Sequence, residues 1–225
     1  MKPVVTRTLT GITYLSILAV AFFLSKFVLV TVFTIFLIIA LFEYIQLAQK
    51  FPTAKSAGQQ FLRKYFLPII WIFCPVVLLE YWCIILNSTN IVVALVVILC
   101  ANDTLAYVFG TLFGKHKMWK KVSPKKSWEG FFGGLITTMI AGWFIIKIPY
   151  FQNDTFTNPY LWIGFTFVVI IFGTMGDFVE SMVKRFAQEK DSGRILPGHG
   201  GILDRIDSML FAVPAGFIYW VVEVV

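Results

Sequence analysis

The chain has 225 residues, of which 58% are hydrophobic and only 14% are charged, and it carries a formal net charge of +7. Soluble domains have about 25% charged residues, so this composition, with a mean hydropathy of +0.81, excludes an ordinary soluble domain. It indicates a protein embedded in a membrane. The three cysteines lie in apolar stretches without metal-ligand spacing, and we interpret them as packing residues.

Seven mostly apolar stretches follow one another, each close to the 20 or so residues that a spanning helix needs. We expect the spans at roughly 9–25, 27–48, 66–87, 90–114, 129–149, 160–186 and 202–222. No small-residue cleavage site follows the first stretch, so we expect a retained helix and not a cleaved signal peptide. The predicted fold class is therefore all-α: a polytopic integral membrane protein with about seven transmembrane helices. Residues 1–90 form an N-terminal scaffold that offers a candidate dimer surface, and 91–225 form a second unit.

The distribution of lysine and arginine predicts a cytoplasmic N-terminus. In that orientation every one of the 19 lysines and arginines except Lys26 and Lys147 lies on the inner side, in accordance with the positive-inside rule. An odd number of spans then places Val225 outside.

Two of the acidic residues inside predicted spans, Asp103 and Asp177, are singled out, because a charge in a span costs at least a few kcal/mol and needs a partner or a function. Asp103 is in the fourth span, with Tyr107 one turn later on the same face. Gly110 and Gly114 follow in the same span, and their spacing is typical of a close-packing face. Asp177 is in the sixth span, after Gly173 and Gly176, which allow another backbone to approach closely. The alternative for each is structural: a hydrogen bond from a neighbouring helix to Asp103, or an ion pair of Asp177 with a basic residue at the end of its own helix.

A lysine-rich loop joins the fourth and fifth spans. Such a juxtamembrane segment attracts anionic lipid headgroups whatever else it does. Its more specific part is the run P-x-K-S-x-E-G, formed by Pro124, Lys126, Ser127, Glu129 and Gly130. Lys126 is suited to neutralising phosphate charge, and Glu129 to pairing with a basic residue or reaching the water shell of a metal.

The most polar stretch is 181–208, whose two halves are joined by a Pro-Gly-His-Gly-Gly turn at 197–201. Backbone amides of a glycine-rich turn that leads into a helix can bind an anion. Asp204 and Asp207 follow, three residues apart on one helix face, and are suited to a hard divalent cation, although acids in a first turn also simply stabilise the helix dipole. His199 is weak support for a general base, since it fits a phosphate donor or a turn residue equally well.

The pattern S-x-x-K-R-x-x-x-x-K-D, followed by P-G-H-G-G-x-x-D-R-x-D, resembles the signature of the phosphatidate cytidylyltransferases. The lysine-rich run and N-D-x-x-A-Y at 102–107 are similar to other motifs of that family, and so is Glu43-Tyr44 in the second span. The motif similarity runs from about 101 to 213, half of the chain. The departure is length, since the region between about 50 and 90 is contracted relative to typical bacterial members.

The resemblance implies an enzyme that joins CTP and phosphatidic acid to give CDP-diacylglycerol and pyrophosphate, with 91–225 as its catalytic domain. It implies Mg²⁺ near Asp177, Asp204 and Asp207, with Lys184 as a further catalytic residue, and leaves open a second, monovalent cation. The substrate-binding residues that it implies are Asp103, Ser123, Lys126, Ser127, Glu129, Ser181, Arg185, Lys190, Asp191, His199, Gly200, Gly201 and Arg205. The expected setting is the bacterial inner membrane, with the site facing the cytoplasm, a homodimer left open and no nucleic-acid partner.

Two other classes of protein fit some of these features. Intramembrane acids also mark the pathways of cation transporters and channels, but here they gather toward one side and share it with the basic loop. A lipid kinase would likewise use a nucleotide and a membrane substrate.

Overall fold

The computed structural model describes residues 3–53, 56–145, 147–148, 151, 158–196, 198 and 200–224. Its helices are α1 (Pro3–Leu24), α2 (Lys26–Gln49), α3 (Ala57–Phe61), α4 (Cys74–Ile84), α5 (Thr89–Phe113), α6 (Trp128–Ile145), α7 (Pro159–Phe186) and α8 (Leu203–Val224). Two π-helical turns, Leu62–Phe66 and Ile69–Phe73, make α3 and α4 parts of one helical segment. The strands β1 (Lys117–Trp119) and β2 (Ser123–Ser127) pair antiparallel, with Lys117 opposite Ser127 and Trp119 opposite Ser123. We call residues 115–127 the basic hairpin.

The long helical segments of the described chain coincide with the predicted spans, and the all-α membrane class is confirmed. Five are long and apolar enough to cross a membrane: 26–49, 57–84, 89–113, 159–186 and 203–223. The helices α1 and α6 correspond to the other two predicted spans, and their crossing of the membrane, the total of seven, the orientation and the division at residue 90 stay predictions.

Ser25 separates the first two helices. Its backbone is extended, and its hydroxyl accepts a hydrogen bond from the backbone N–H of Val28, which caps α2. Because α1 packs against α2, the two helices form a hairpin.

The central element is α8, which packs against α2, α4, α5 and α7. Its buried face includes Leu203, Ile206, Leu210 and Val213, a spacing of three or four residues that places apolar side chains along one side of a helix. Burial of α8 on several sides fixes the position of the polar residues in its first turns.

Glycines bring two pairs of helices into close contact. A Cβ at Gly176 of α7 would lie 2.5 Å from the carbonyl oxygen of Asp207 in α8, and a Cβ at Gly130 of α6 would lie 3.0 Å from the Cα of Gly110 in α5. The predicted close packing at Gly110 and Gly176 is confirmed, and it holds Asp207 beside the helix that carries Asp177.

Candidate functional site

The basic hairpin contacts α7, which carries Asp177 and the start of the polar stretch 181–208, although the two are distant in sequence. The ammonium group of Lys126, at the end of β2, forms an ion pair with the carboxylate of Asp177 and lies 4.9 Å from the centre of the Phe178 ring. Near the end of α7, Arg185 Nε donates a hydrogen bond of 3.4 Å to the carbonyl oxygen of Val122. The expectation that both motifs share one surface is therefore met.

Three carboxylates gather at this meeting point. Asp103 of α5, Asp177 of α7 and Asp207 of α8 lie close enough to interact electrostatically with one another and with Lys126. We call these four residues the acid cluster. One oxygen of Asp207 accepts a 2.7 Å hydrogen bond from the backbone N–H of Ser208, while Ser181 donates to Asp177 at 3.4 Å. Lys126 neutralises only one of the three acids.

Lys184 belongs to a neighbouring, more buried network, in which Glu180 also interacts electrostatically with Asp207. Its ammonium nitrogen lies 2.5 Å from Glu180 Oε2 and 2.6 Å from Asp204 Oδ1, and the Glu180 side chain is fully buried. A lysine held between two buried carboxylates compensates their charge. The structure thus gives Lys184 two internal partners, and its catalytic role stays a prediction.

The second oxygen of Asp204 is also engaged. It accepts hydrogen bonds from the backbone N–H and the hydroxyl of Ser192, both at 2.9 Å, and from the backbone N–H of Gly201 at 2.7 Å. Asp204 therefore holds the loop 189–203 against the start of α8. None of these bonds involves Asp177 or Asp207. Within the described part of the chain, no group of three or more His, Cys, Asp or Glu side chains is arranged to hold a metal ion.

The amides at the start of α8 already have an anionic partner, the carboxylate of Glu43 in α2. Glu43 Oε1 accepts from the N–H of Ile202 at 3.1 Å, and Oε2 accepts from the N–H of Leu203 at 2.9 Å and from the hydroxyl of Ser192 at 3.1 Å. The N–H groups of Gly201, Ile202 and Leu203 are thus bound by two carboxylates of the chain itself, those of Glu43 and Asp204, and phosphate binding at Gly200 and Gly201 stays a prediction.

The turn before α8 has the backbone geometry that its glycines permit. Gly198 and Gly200 have φ of 80° and 84°, in the region where other residues are strained. The N–H of Leu196 donates to the carbonyl oxygen of Gly200 at 2.9 Å and closes the turn. Pro197 and His199 lie outside the described residues, so the alternatives for His199 stay open.

Two residues expected to bind substrate organise the end of the basic hairpin. The hydroxyl of Ser127 is buried and accepts from the N–H of Gly130 at 3.2 Å, which caps α6. Glu129 accepts from its own backbone N–H and from His116, whose Nδ1 lies 2.6 Å from Oε1, and these hydrogen bonds lower the pKa of Glu129 to about 2. Of the two partners predicted for Glu129, the basic residue is the one observed. Ser123 lies in β2, opposite Trp119.

The remaining predicted residues lie around the loop that follows α7. Arg185 is exposed and donates to the carbonyl oxygen of Glu189 at 2.9 Å. The ion pair with Lys50 of α2, at 2.6 Å, lowers the pKa of Glu189. The exposed residues of this surface include Lys190, Asp191 and Arg205, and Arg205 lies close enough to Asp103 to interact with it electrostatically.

Sequence reasoning did not assign roles to Glu43, Glu180 and Ser192. The cost of an acid inside an apolar span singled out Asp103 and Asp177, and the same argument applies to Glu43 and Glu180. Ser192 had no comparable signal, because a serine in a polar loop is ordinary.

Comparison with known proteins adds independent information. The sequence model of the cytidylyltransferase family matches residues 50–223. A segment of 113 residues is 51% identical to the phosphatidate cytidylyltransferase of Staphylococcus haemolyticus (strain JCSC1435) and 50% identical to that of Staphylococcus aureus (strain COL). A Staphylococcus epidermidis relative of the same name, from strain ATCC 12228, is 49% identical. In each case the segment covers 50% of this chain and 42% of the relative, so the match spans less than half the length of these curated proteins.

Proposed function

The chain belongs to the cytidylyltransferase family, and from this membership we propose that it joins phosphatidic acid to CTP, giving CDP-diacylglycerol and pyrophosphate. The observation that carries the proposal is the ion pair of Lys126 with Asp177, which places a phosphate-compensating cation in a cluster of acids. Transfer between a triphosphate and a lipid phosphate needs both kinds of group side by side. The names of the staphylococcal relatives support the same reaction.

In the proposed reaction, an oxygen of the lipid phosphate attacks the α-phosphorus of CTP. A bond forms between that oxygen and the α-phosphorus, and the bond from the α-phosphorus to the bridging oxygen of the β-phosphate breaks. Pyrophosphate leaves with the electron pair. A phosphate monoester has a second pKa of about 6, so it is already anionic near neutral pH. The chemistry therefore needs no general base, and His199 is not assigned that role.

The cations would compensate the charge of the phosphates. Lys126, Arg185, Lys190 and Arg205 would supply these cations from the basic hairpin, the end of α7, the following loop and the first turn of α8. Fixed cations of this kind stabilise charge that develops on a leaving group. Lys184 would act indirectly, by keeping α7 and α8 together through Glu180 and Asp204.

The donor set of the acid cluster fits Mg²⁺, which takes one or two carboxylates and keeps several waters. Asp177 and Asp207 would hold the ion, with Asp103 adding negative charge, whereas Asp204 is engaged by Lys184, Ser192 and Gly201. When bound, the ion would supply electrostatic stabilisation of the transferring and departing phosphates. A monovalent cation beside it stays a prediction.

An apolar cleft of about 750 Å³ lies between α2, the π-helical turns, α7 and α8, and is suited to the lipid chains. Val183, which lines it, precedes Lys184 in sequence, and Leu210, which also lines it, lies about one turn after Asp207. A lipid that entered laterally would therefore carry its phosphate toward the acid cluster. With the positive-inside orientation, this end faces the cytoplasm, where CTP is found, and the membrane is the bacterial inner membrane.

The proposal is tested by measuring pyrophosphate release from detergent-purified protein with CTP, phosphatidic acid and Mg²⁺. Parallel reactions replace CTP by ATP, replace phosphatidic acid by diacylglycerol, or add a chelator. Release that requires CTP, phosphatidic acid and Mg²⁺ together supports the proposal. Phosphorylation of diacylglycerol by ATP would instead establish a lipid kinase. Cation flux in proteoliposomes without nucleotide, from protein inactive with CTP, would establish a transporter.

A further inference from the structure

Glu43, a buried side chain in the N-terminal half of the chain, forms hydrogen bonds with the loop before α8. Its residue is 1% exposed and lies in α2, six positions before the end of that helix. Its three hydrogen-bond donors, at 192, 202 and 203, are about 150 residues away in sequence. A carboxylate with three donors in so apolar a helix is not explained by the packing of α2 alone.

The contact has a clear physical basis in α8. The first N–H groups of a helix have no partner within the helix and carry partial positive charge. Glu43 satisfies the N–H groups of Ile202 and Leu203, so its negative charge stabilises the start of α8 while those donors compensate the cost of burying the carboxylate.

The loop is shaped around this carboxylate. Cβ atoms added at Gly193 or Gly201 would collide with the side chain of Glu43. The hydroxyl of Ser192 lies 3.1 Å from Glu43 Oε2 and 2.9 Å from Asp204 Oδ2, and so connects Glu43 to the network of Asp204 and Lys184. Glycine at 193 and 201 is therefore required because the loop backbone passes directly over the acid.

Other links between the same two parts of the chain are weaker. Lys50 and Glu189 form an ion pair whose side chains are 55% and 39% exposed, and exposed pairs contribute little. Arg63 lies 5.3 Å from the centre of the Phe186 ring. Glu43 is buried, and it contacts Ile202 and Leu203 at the start of the helix that carries Arg205 and Asp207.

We propose that Glu43 is a positioning residue for the nucleotide: it fixes the loop 189–203 and the first turn of α8. It thereby places Arg205, which would bind the phosphates of CTP, and Asp207, which would hold Mg²⁺ beside them. It touches no reacting atom. Its kinetic part rests on the proposed function, whereas the anchoring of the loop does not. The N-terminal helices thus contribute directly to the geometry of the site.

The test compares Glu43→Gln with Glu80→Gln in protein purified in detergent. Glu80 is a suitable control because it lies in α4, another apolar helix, and accepts a hydrogen bond from Thr34 at 2.7 Å, away from the loop. Glu43→Gln keeps the size of the side chain but leaves one of its donors facing an amide. We expect amide hydrogen exchange over 189–203 to rise by at least about tenfold, as for loss of a hydrogen bond to a charged group, with exchange in α5 and α6 unchanged.

The kinetic readout separates positioning from general stability. Glu43→Gln should raise the KM for CTP by about tenfold, while the KM for phosphatidic acid stays within about twofold and Glu80→Gln changes neither. Unchanged exchange over 189–203 would overturn the anchoring. Faster exchange there with unchanged KM and kcat would overturn the positioning role.

The test also covers a Glu43→Gln protein that does not fold and a wild-type protein that shows no activity. If Glu43→Gln fails to fold, Ser192→Ala replaces it, since that variant removes one donor and leaves the carboxylate in place. Faster exchange confined to the loop, with a raised KM for CTP, then supports the proposal, and no change overturns it. If the wild-type protein shows no reaction with CTP and phosphatidic acid, the proposed function fails, and the exchange measurement still decides the anchoring.

Discussion

The contact of α7 with α8 at Gly176 gives the sharpest prediction. In Gly176→Ala, the new Cβ would lie 2.5 Å from the carbonyl oxygen of Asp207 and 3.3 Å from the Cα of Ser208. Both are backbone atoms and cannot rotate away. To restore an ordinary contact the helices must separate locally by about 0.9 Å, and overpacking of this kind costs about 1–3 kcal/mol of unfolding free energy. Because Asp177 is the next residue, the shift also moves Asp177 away from Asp207. Displacements near 1 Å can lower a reaction rate about 10²-fold.

Two other glycines provide matched controls. A Cβ at Gly58 meets no atom within 4 Å, so Gly58→Ala should leave activity unchanged and raise stability by up to about 1 kcal/mol. A Cβ at Gly216 would lie 3.1 Å from a ring atom of Phe165 and 3.4 Å from side-chain atoms of Leu95 and Val169. These side chains can adjust, so Gly216→Ala should have an intermediate effect on stability.

The assay is thermal unfolding of the purified proteins, followed by pyrophosphate release under the conditions given above. The expected order of stability is Gly58→Ala, then Gly216→Ala, then Gly176→Ala, with the largest loss of activity in the last. A Gly176→Ala protein as stable and active as Gly58→Ala would refute the close contact and the reasoning built on it.

Three further predictions concern charged groups. Lys126→Met should lower activity at least about tenfold, because Asp177 loses its partner, whereas Lys125→Met, at an exposed position, should have little effect; equal rates would contradict the role of Lys126. Asp204→Asn should cost about 3 kcal/mol in chemical denaturation, as for a broken buried ion pair. Asp207→Asn should keep its stability, since it relieves like-charge repulsion, but lose pyrophosphate release. If Asp204→Asn instead lost only activity and Asp207→Asn lost only stability, the structural role would belong to Asp207 and the catalytic role to Asp204. The Glu129 carboxyl, followed by NMR, should titrate near pH 2 and not near its ordinary 4.5, so its stabilising contribution is full above about 4.5 and is lost as the pH falls through about 2; a midpoint near 4.5 would exclude the His116 contact.

The sequence by itself determined the class of the protein and the position of its helices. Apolar runs of spanning length and the glycines at 110 and 176 act locally, through hydrophobic burial and close approach of helices, so their consequences could be inferred without a fold. The motif residues also predicted that the basic hairpin and α7 share one surface, and the two are in contact.

Only the tertiary structure decided which charges are paired. The sequence offered Lys184 or Arg185 as partners for Asp177, but Lys126 forms that ion pair, and Lys184 is held by Glu180 and Asp204. Likewise, the sequence predicted an anion at the start of α8, and the structure places Glu43 there. The physical reason is that a buried charge takes whichever partner the packing brings within a few ångströms. That partner can come from any part of the chain, so local patterns do not specify it.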